Sequence, residues 1–133
     1  MGLELKKQAI DLGIVTTDGA AMLAFYRDTL GLAYLREMPM PGGGLMHQLA
    51  CGESVVKLVV VESTPEKAAR GGIPGSTGFR YFTITVASVG DVIARCKEQG
   101  SKVVVPEREL RPGVRIGIVE DPDGNWVEFL ALG

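Results

Sequence analysis

The sequence has few of the features that mark secreted, membrane-bound or disulfide-stabilised proteins. Its 133 residues include only two cysteines, Cys51 and Cys96, and no apolar stretch reaches the length of about 18 residues that a membrane-spanning helix requires. Two cysteines exclude a disulfide framework, which is built from several pairs. Free thiols are typical of a reducing compartment, so we expect a cytoplasmic protein.

An excess of charge of one sign is also missing. Lysine and arginine number 14 and aspartate and glutamate 16, which leaves a formal net charge of -2 without a basic run. This balance excludes nucleic acid and membrane as main partners, because both are recognised through clustered lysine and arginine. The content of 46% hydrophobic and 23% charged residues is that of an ordinary globular protein.

The residues that are present repeat one order of secondary structure. In the first half, branched residues predict a strand at 10–15, Asp18 can cap a helix, and Gly31 can end it. The apolar face of this helix is predicted to consist of Met22, Phe25, Tyr26 and Leu30. Further strands are predicted at residues 32–37, 45–51 and 55–61.

The second half predicts the same order of elements. Alternation of polar and apolar residues indicates a half-buried strand at 80–86, and Ser88 can cap a helix that Gly100 ends. Pro106 is expected to stop the following strand, because proline cannot donate to the ladder of a sheet. The turn sequence D-P-D-G favours a closing hairpin. The remaining strands are predicted at residues 102–105, 114–119 and 126–131.

Corresponding positions of the two halves are separated by a nearly constant interval. Asp11 and Tyr81 are 70 positions apart, and Lys57 and Glu128 are 71 positions apart. We therefore predict a single domain of the α+β class, in which two duplicated βαβββ modules form curved mixed sheets around a cleft, with the helices outside. The modules are expected near residues 8–62 and 79–133, with a linker at 63–78.

Alternation along the strands predicts which side chains face the cleft. Helices cover the more apolar face of a sheet, so the more polar face should line the cleft. On the seventh strand this rule directs Ile116 and Ile118 outward and Arg115 inward, whereas the register of the third strand, which carries the single histidine His47, stays open. The side chains predicted to face the cleft include Asp11, Lys57, Tyr81, Thr83, Arg115, Trp126 and Glu128.

Two segments carry a resemblance to a known family. The opening Asp11-L-G-I-V-T-T-Asp18, followed by A-F-Y-R-D-T-L-G-L, resembles that of vicinal oxygen chelate proteins. The ending G-V-R-I-G-I-V-E-D-P-D-G-N-W-V-E-F-L is similar to their closing hairpin. This superfamily includes glyoxalase I, extradiol dioxygenases, methylmalonyl-CoA epimerase, and fosfomycin and bleomycin resistance proteins. The resemblance covers nearly the whole chain and implies the same two-module fold around a small-molecule cleft.

The resemblance also indicates where a metal would bind. Metal-using members hold a divalent ion through His, Glu or Gln, His, and Glu on the first, fourth, fifth and eighth strands, where this chain has Asp11, Lys57, Tyr81 and Glu128. Only Glu128 matches, and a charged lysine has no lone pair with which to ligate. We therefore expect no cofactor and no tightly bound metal. A hard divalent ion held weakly by Asp11 and Glu128 is the alternative.

Two classes of function fit these residues. In the first, the protein is a metal-independent isomerase, epimerase or lyase acting on a small carbonyl or carboxylate compound. Glu128 or Asp11 would remove a proton next to the carbonyl group, and Tyr81 and Lys57 would stabilise the resulting oxyanion. Lys57 and Arg115 are also candidates to hold a carboxylate or phosphate group of the ligand.

In the second class, the protein sequesters a small molecule, as the bleomycin-resistance relatives do, and Trp126 and Tyr81 would matter most. A third alternative is a weakly metal-dependent glyoxalase or dioxygenase that uses Asp11, His47 and Glu128. The resemblance also implies a homodimer, since relatives of this length are often homodimers. The candidate ligand-binding residues are Lys57, Arg115, Trp126, His47 and Thr83.

Overall fold

The computed structural model describes residues 2–133 and divides the chain into two compact units, Met1–Pro65 and Glu66–Gly133. Each unit contains one four-stranded mixed sheet, and the boundary between the units falls within the predicted linker. The predicted α+β class and its two βαβββ modules are confirmed.

The first unit has the strand order β1-β4-β3-β2. Strand β1 runs parallel to β4, and the other neighbours are antiparallel. Its elements are β1 (Leu12–Thr16), α1 (Gly19–Leu23) with a π-helical continuation (Ala24–Thr29), β2 (Ala33–Pro39), β3 (Leu45–Cys51) and β4 (Ser54–Val60).

The second unit repeats this arrangement with the order β5-β8-β7-β6, in which β5 runs parallel to β8. One additional short helix, α2 (Gly72–Gly75), precedes its sheet. The remaining elements are β5 (Tyr81–Thr85), α3 (Val89–Glu98), β6 (Val103–Arg111), β7 (Val114–Glu120) and β8 (Trp126–Leu132).

The first helix begins as the sequence predicts but does not stay α-helical. The Asp18 side chain accepts a hydrogen bond from the backbone N–H of Ala21, at 3.1 Å. Further along, the backbone N–H of Leu30 donates to Phe25 at 2.9 Å, which is the spacing of a π-helical turn. The wider turn buries Thr29 and leaves Leu30 half-buried, so the prediction of Leu30 on the buried face was one position off.

Each sheet packs one face against a helix. In the first unit that face carries Leu49, Val56 and Leu58, and in the second it carries Val127 and Phe129, all nearly inaccessible to solvent. Helix α3 adds Val89, Ile93 and Cys96 to the core of the second unit. Across residues 2–133, no helix combines the length and the apolar character needed to span a bilayer.

Pro106 does not stop its strand, contrary to the prediction. Strand β6 continues to Arg111, and its register against β7 shifts between Val105 and Arg108, on either side of the proline. Because β6 lies at the edge of its sheet, the missing N–H group of proline can be placed where no ladder hydrogen bond is required. Edge position, which sequence does not reveal, decides the effect of this proline.

The segment predicted as a linker is partly a structured cap. Arg80 donates hydrogen bonds of 2.7 Å to the backbone carbonyls of Gly72 and Ala69, which hold α2 against the beginning of β5. The segment predicted as a linker at 63–78 therefore contains a short helix, α2, which the sequence did not predict.

Candidate functional site

The helix-free face of the first sheet carries a row of polar side chains. Because paired residues of neighbouring strands point to the same side, the row runs from Lys57 on β4 through Gln48 on β3 to Arg36 on β2. Helix α1 packs on the opposite face, where a Cβ on Gly19 would meet Val60. Lys57 thus lies on the face that alternation along β4 predicts.

Arg36 and Gln48 are the members of this row that sequence reasoning missed. The Arg36 guanidinium donates a hydrogen bond to Gln48 Oε1, which ties β2 to β3 across the sheet. The alternation of polar and apolar residues in β2 is broken by a bulge between Tyr34 and Arg36, so the face of Arg36 follows only from the pairing.

Asp11 lies immediately before β1 and has two partners. Its Oδ1 accepts hydrogen bonds from Lys7 Nζ at 2.7 Å and from the backbone N–H of Val55 at 2.9 Å. The hydrogen bond from Lys7 lowers the pKa of Asp11, with further lowering from the Val55 N–H and from the charges of Lys7 and Lys57. A carboxylate held in its charged form is a weaker base, so Asp11 is less suited to proton removal than the prediction assumed.

His47 faces the helix-covered side of the first sheet, opposite to Lys57. It pairs with Leu58, is 9% exposed, and its Nδ1 lies 2.8 Å from the Tyr34 hydroxyl and 3.9 Å from Glu37 Oε1. The register of the β3–β4 hairpin decides this placement by pairing Gln48, rather than His47, with Lys57. The register that the sequence left open thus directs His47 away from the face that carries Lys57, and the inward placement that the metal-dependent alternative required is not observed.

Glu128 lies on the helix-free face of the second sheet, directly opposite Thr83. The two residues pair in the β5–β8 register, and the Thr83 hydroxyl donates a hydrogen bond of 2.6 Å to Glu128 Oε1. On its other side Glu128 pairs with Ile118 of β7, which is 5% exposed. The arrangement fixes one carboxylate oxygen beside an apolar surface.

Arg115 is on the wrong face for the predicted role. It pairs with Ala131, and the next residue on that face, Gly117, packs so closely on α3 that an added Cβ would lie 2.8 Å from Ile93. Its guanidinium instead donates to Glu107 Oε2 at 3.1 Å. The prediction was wrong because β7 is apolar on both faces, so alternation does not identify the face that the helix covers. Helix α3 packs on the face that carries Gly117, where the absence of a side chain permits close approach, and Arg115 shares that face.

Trp126 shares the helix-free face with Glu128 but is engaged in packing. Its indole N–H donates to Glu120 Oε2 at 3.3 Å, and the backbone of Gly72 covers part of the ring, where an added Cβ would lie 2.0 Å from Cδ2. One face of the indole is therefore occupied by α2. Stacking of a flat ligand, which the sequence suggested, is restricted to the surface that α2 leaves open.

Tyr81 pairs with Trp126 and is about half exposed, at 49%. Its hydroxyl forms no hydrogen bond within the described part of the second unit, so it is available to an incoming group. Tyr81 and Thr83 also border an open cavity of about 560 Å³ within this unit. The other residues that line the cavity are Ile73, Gly78, Phe79, Arg80 and Phe82.

The residues at the family's metal positions do not fit a metal. Across residues 2–133 no three His, Cys, Asp or Glu side chains are grouped closely enough to hold an ion. Within the first unit, Asp11 is occupied by Lys7, and Lys57 brings a positive charge where a ligand would be needed. Asp11 and Lys57 belong to the first unit and Tyr81 and Glu128 to the second, so their convergence on one cavity stays a prediction.

The turn before β8 is structural. The Asp121 carboxylate is buried and accepts hydrogen bonds from the backbone N–H groups of Asp123 and Asn125, both at 2.9 Å, and from the Asn125 amide at 2.8 Å. These contacts shape the D-P-D-G-N turn and set the start of β8. The motif therefore fixes the backbone from which β8, the strand of Glu128, begins.

Comparisons with known proteins agree with this architecture. The family model of the Glyoxalase/Bleomycin resistance protein/Dioxygenase superfamily matches residues 9–129. A biphenyl-2,3-diol 1,2-dioxygenase 2 from Rhodococcus globerulus is 33% identical over 57 residues, which amount to 42% of this chain and 30% of the dioxygenase. The matched segment thus spans less than a third of that relative.

Solved structures are similar to this protein over nearly the whole chain. A glyoxalase family protein from Enterococcus faecalis is 27% identical, with a TM-score of 0.67 and coverage of 96% of both chains. TnmS3, an antibiotic binding protein from Streptomyces sp. CB03234, is 22% identical, with a TM-score of 0.71 and coverage of 97% of this chain and 99% of TnmS3. The fold, the repeated modules and the family match lead to one conclusion: the chain belongs to the Glyoxalase/Bleomycin resistance protein/Dioxygenase superfamily.

Proposed function

We propose that the protein is a metal-independent isomerase, epimerase or lyase that removes a proton next to the carbonyl group of a small molecule, with Glu128 as the base. The observation that carries this proposal is the Glu128 carboxylate, held at one oxygen by Thr83 and bordered by the apolar side chain of Ile118. One oxygen fixed by a neutral donor leaves the other free to accept a proton.

The chemical step needs no oxidant and no metal. Glu128 takes the proton from the carbon next to the carbonyl. The electron pair of the C–H bond forms a C=C bond, and the π pair of the C=O bond moves onto the oxygen to give an enolate. The Tyr81 hydroxyl, which is free to donate, stabilises this oxygen by a hydrogen bond. Return of the proton to the opposite face or to a neighbouring carbon completes an epimerisation or isomerisation, and loss of a leaving group from the enolate completes a lyase reaction.

The proposal is tested by exchange of substrate protons in D₂O. Pyruvate and hydroxyacetone serve as carbonyl probes, and proton NMR follows the loss of signal next to the carbonyl after treatment of the protein with EDTA. We expect exchange above the protein-free rate, and Glu128→Gln should lower it by about 10² to 10⁴. Glu120→Gln is the matched control, because Glu120 lies on the same face but bonds to Trp126, and it should retain most of the rate.

Several outcomes would contradict the proposal. Exchange that is absent with both probes, that survives Glu128→Gln, or that EDTA abolishes would each exclude a metal-independent Glu128 base. Tyr81→Phe separates the role of the oxyanion donor from that of the base. Loss of this one donor is expected to lower the rate by about 10² without changing which proton is exchanged.

A second candidate function is the sequestration of an apolar small molecule. The cavity of about 560 Å³ and the fully exposed ring of Phe79 beside Tyr81 favour it, as does the likeness to an antibiotic binding protein. A binder of this kind would show saturable quenching of Trp126 fluorescence by an aromatic probe such as 1-anilinonaphthalene-8-sulfonate. Phe79→Ala should weaken that binding, whereas Glu128→Gln should leave it nearly unchanged.

We further propose that the protein is a cytoplasmic homodimer. Large apolar side chains at the surface, including Phe79 and Ile73, support a further contact surface. The net charge of -2 offers no attraction to nucleic acid, so the expected partners are a small molecule and a second copy of the chain.

A further inference from the structure

We propose that Arg36, Gln48 and Lys57, which form the polar row on the helix-free face of the first sheet, bind a carboxylate or phosphate group. The row is set by strand pairing, with Gln48 between the other two residues. Neighbouring strands are about 4.8 Å apart, so the two cationic side chains stand on either side of the amide and can reach an anion placed over it. The site goes beyond the proposed function and does not depend on Glu128.

The Gln48 amide N–H groups and the Lys57 ammonium have no strong acceptor within the described part of the first unit. Gln48 Nε2 is directed at the thioether sulfurs of Met38 and Met46, at 3.3 and 3.4 Å, which are weak acceptors. Its Oε1 accepts from Arg36, so the amide is oriented with its N–H groups away from the guanidinium. Within the described part of the first unit, Lys57 takes part in no ion pair.

Two acidic residues adjacent to the row, Asp11 and Glu37, form their direct contacts with residues outside it. Asp11, which precedes β1 and lies beside the beginning of β4, is bonded to Lys7 and to the Val55 N–H. Glu37, the neighbour of Arg36 on β2, pairs with His47 and points to the opposite face of the sheet. Within the described part of the first unit, Arg36 and Lys57 therefore form no ion pair, and the charge of Lys57 acts on Asp11 without direct contact.

The chemistry of the three groups suits an oxyanion. Arginine presents a planar fork that matches two oxygens of a carboxylate or phosphate, and lysine adds a compact charge. The Gln48 amide supplies a neutral donor between them, on a rigid strand rather than a loop. Charge-assisted hydrogen bonds of this kind are about twice as strong as those between neutral groups.

The test uses the full chain, with acetate and inorganic phosphate as separate probes. Backbone amide shifts followed by heteronuclear NMR should change saturably at residues 36, 48 and 57 with at least one probe, and the probe that binds more tightly identifies the anion class. Arg36→Gln and Lys57→Gln should each weaken that affinity at least tenfold. The charge-matched control is Arg27→Gln, since Arg27 is exposed on the helix and pairs with Asp28, and it should leave the affinity within twofold.

Two further variants keep the outcome decisive. Gln48→Leu changes no charge and should weaken binding several-fold, which separates a built site from general attraction to positive charge. Glu128→Gln should retain saturable anion binding with shifts at residues 36, 48 and 57, even if it abolishes proton exchange. The proposal is overturned if neither probe saturates, if the shifts lie elsewhere, or if Arg27→Gln weakens binding as much as Lys57→Gln.

Discussion

At the scale of single residues, the two candidate carboxylates differ in what holds them. Asp11 is bonded to a charged ammonium and a backbone N–H, whereas Glu128 is bonded to a neutral hydroxyl beside isoleucine. A charged donor favours the ionised form and reduces basicity. Glu128 is thus the better candidate for proton removal, and Asp11 serves to join β1 to β4.

The Asp11 contacts predict a pH-dependent contribution to stability. Because Lys7 lowers the pKa of Asp11 in the folded state, the contribution is fully present above the unfolded value of about 3.9 and is lost as pH falls through the lowered folded value. Asp11→Asn should therefore lower the melting temperature at pH 6, and its difference from wild type should shrink as the pH falls below about 4. Thermal unfolding followed by circular dichroism measures this, and a difference that is constant with pH would contradict it.

At the scale of elements, the segment before β5 acts as a cap on the second sheet. Arg80 holds α2 through two backbone carbonyls, and Gly72 rests against the ring of Trp126. Glycine is required there for two reasons, since the backbone has a φ of 56° and a Cβ would overlap the indole. The cap therefore limits ligand access to Trp126.

This packing predicts that Gly72→Ala is strongly destabilising. The substitution adds a steric overlap to an unfavourable φ, so a loss of about 2 to 4 kcal/mol in the free energy of unfolding is expected. Gly52→Ala is the control, because Gly52 has a φ of 59° with open space around it and should lose only about 1 kcal/mol. Denaturant unfolding followed by tryptophan fluorescence compares the two, and equal losses would show that the ring contact contributes nothing.

At the scale of the whole molecule, two units of the same element order carry different chemistry on equivalent faces. The first unit presents Lys57 with Gln48 and Arg36, and the second presents Glu128 with Thr83 and Tyr81. Lys57 and Glu128 occupy corresponding fourth strands, β4 and β8, with opposite charge. The same order of elements thus carries a cationic side chain in one unit and an acidic side chain at the corresponding strand of the other.

The proposed homodimer is tested at this scale. Light scattering coupled to gel filtration should give about twice the chain mass of 14.2 kDa. Phe79→Ser removes a fully exposed ring of the proposed contact surface and is therefore expected to shift the mass toward that of one chain. A mass near 14.2 kDa for the wild type would contradict the homodimer.

The sequence by itself determined the elements whose signals are local. Alternation in β4, β5 and β8 placed Lys57, Thr83 and Glu128 on the helix-free faces, because one face of each strand is clearly more apolar. The caps at Asp18 and Ser88 gave the helix starts, since each capping side chain and the backbone N–H that donates to it lie within three residues. The spacing of about 70 residues predicted the duplication.

Only the tertiary structure decided the features that depend on a neighbouring strand or helix. The hairpin register turned His47 toward the core and brought Gln48 to Lys57, and the approach of α3 to Gly117 turned Arg115 away from Glu128. Because β6 is an edge strand, it continues beyond Pro106, and the contact of Gly72 with the indole ring fixes α2 on Trp126. A shift of one residue in pairing reverses every side chain of a strand, and local sequence does not specify pairing where both faces are equally apolar.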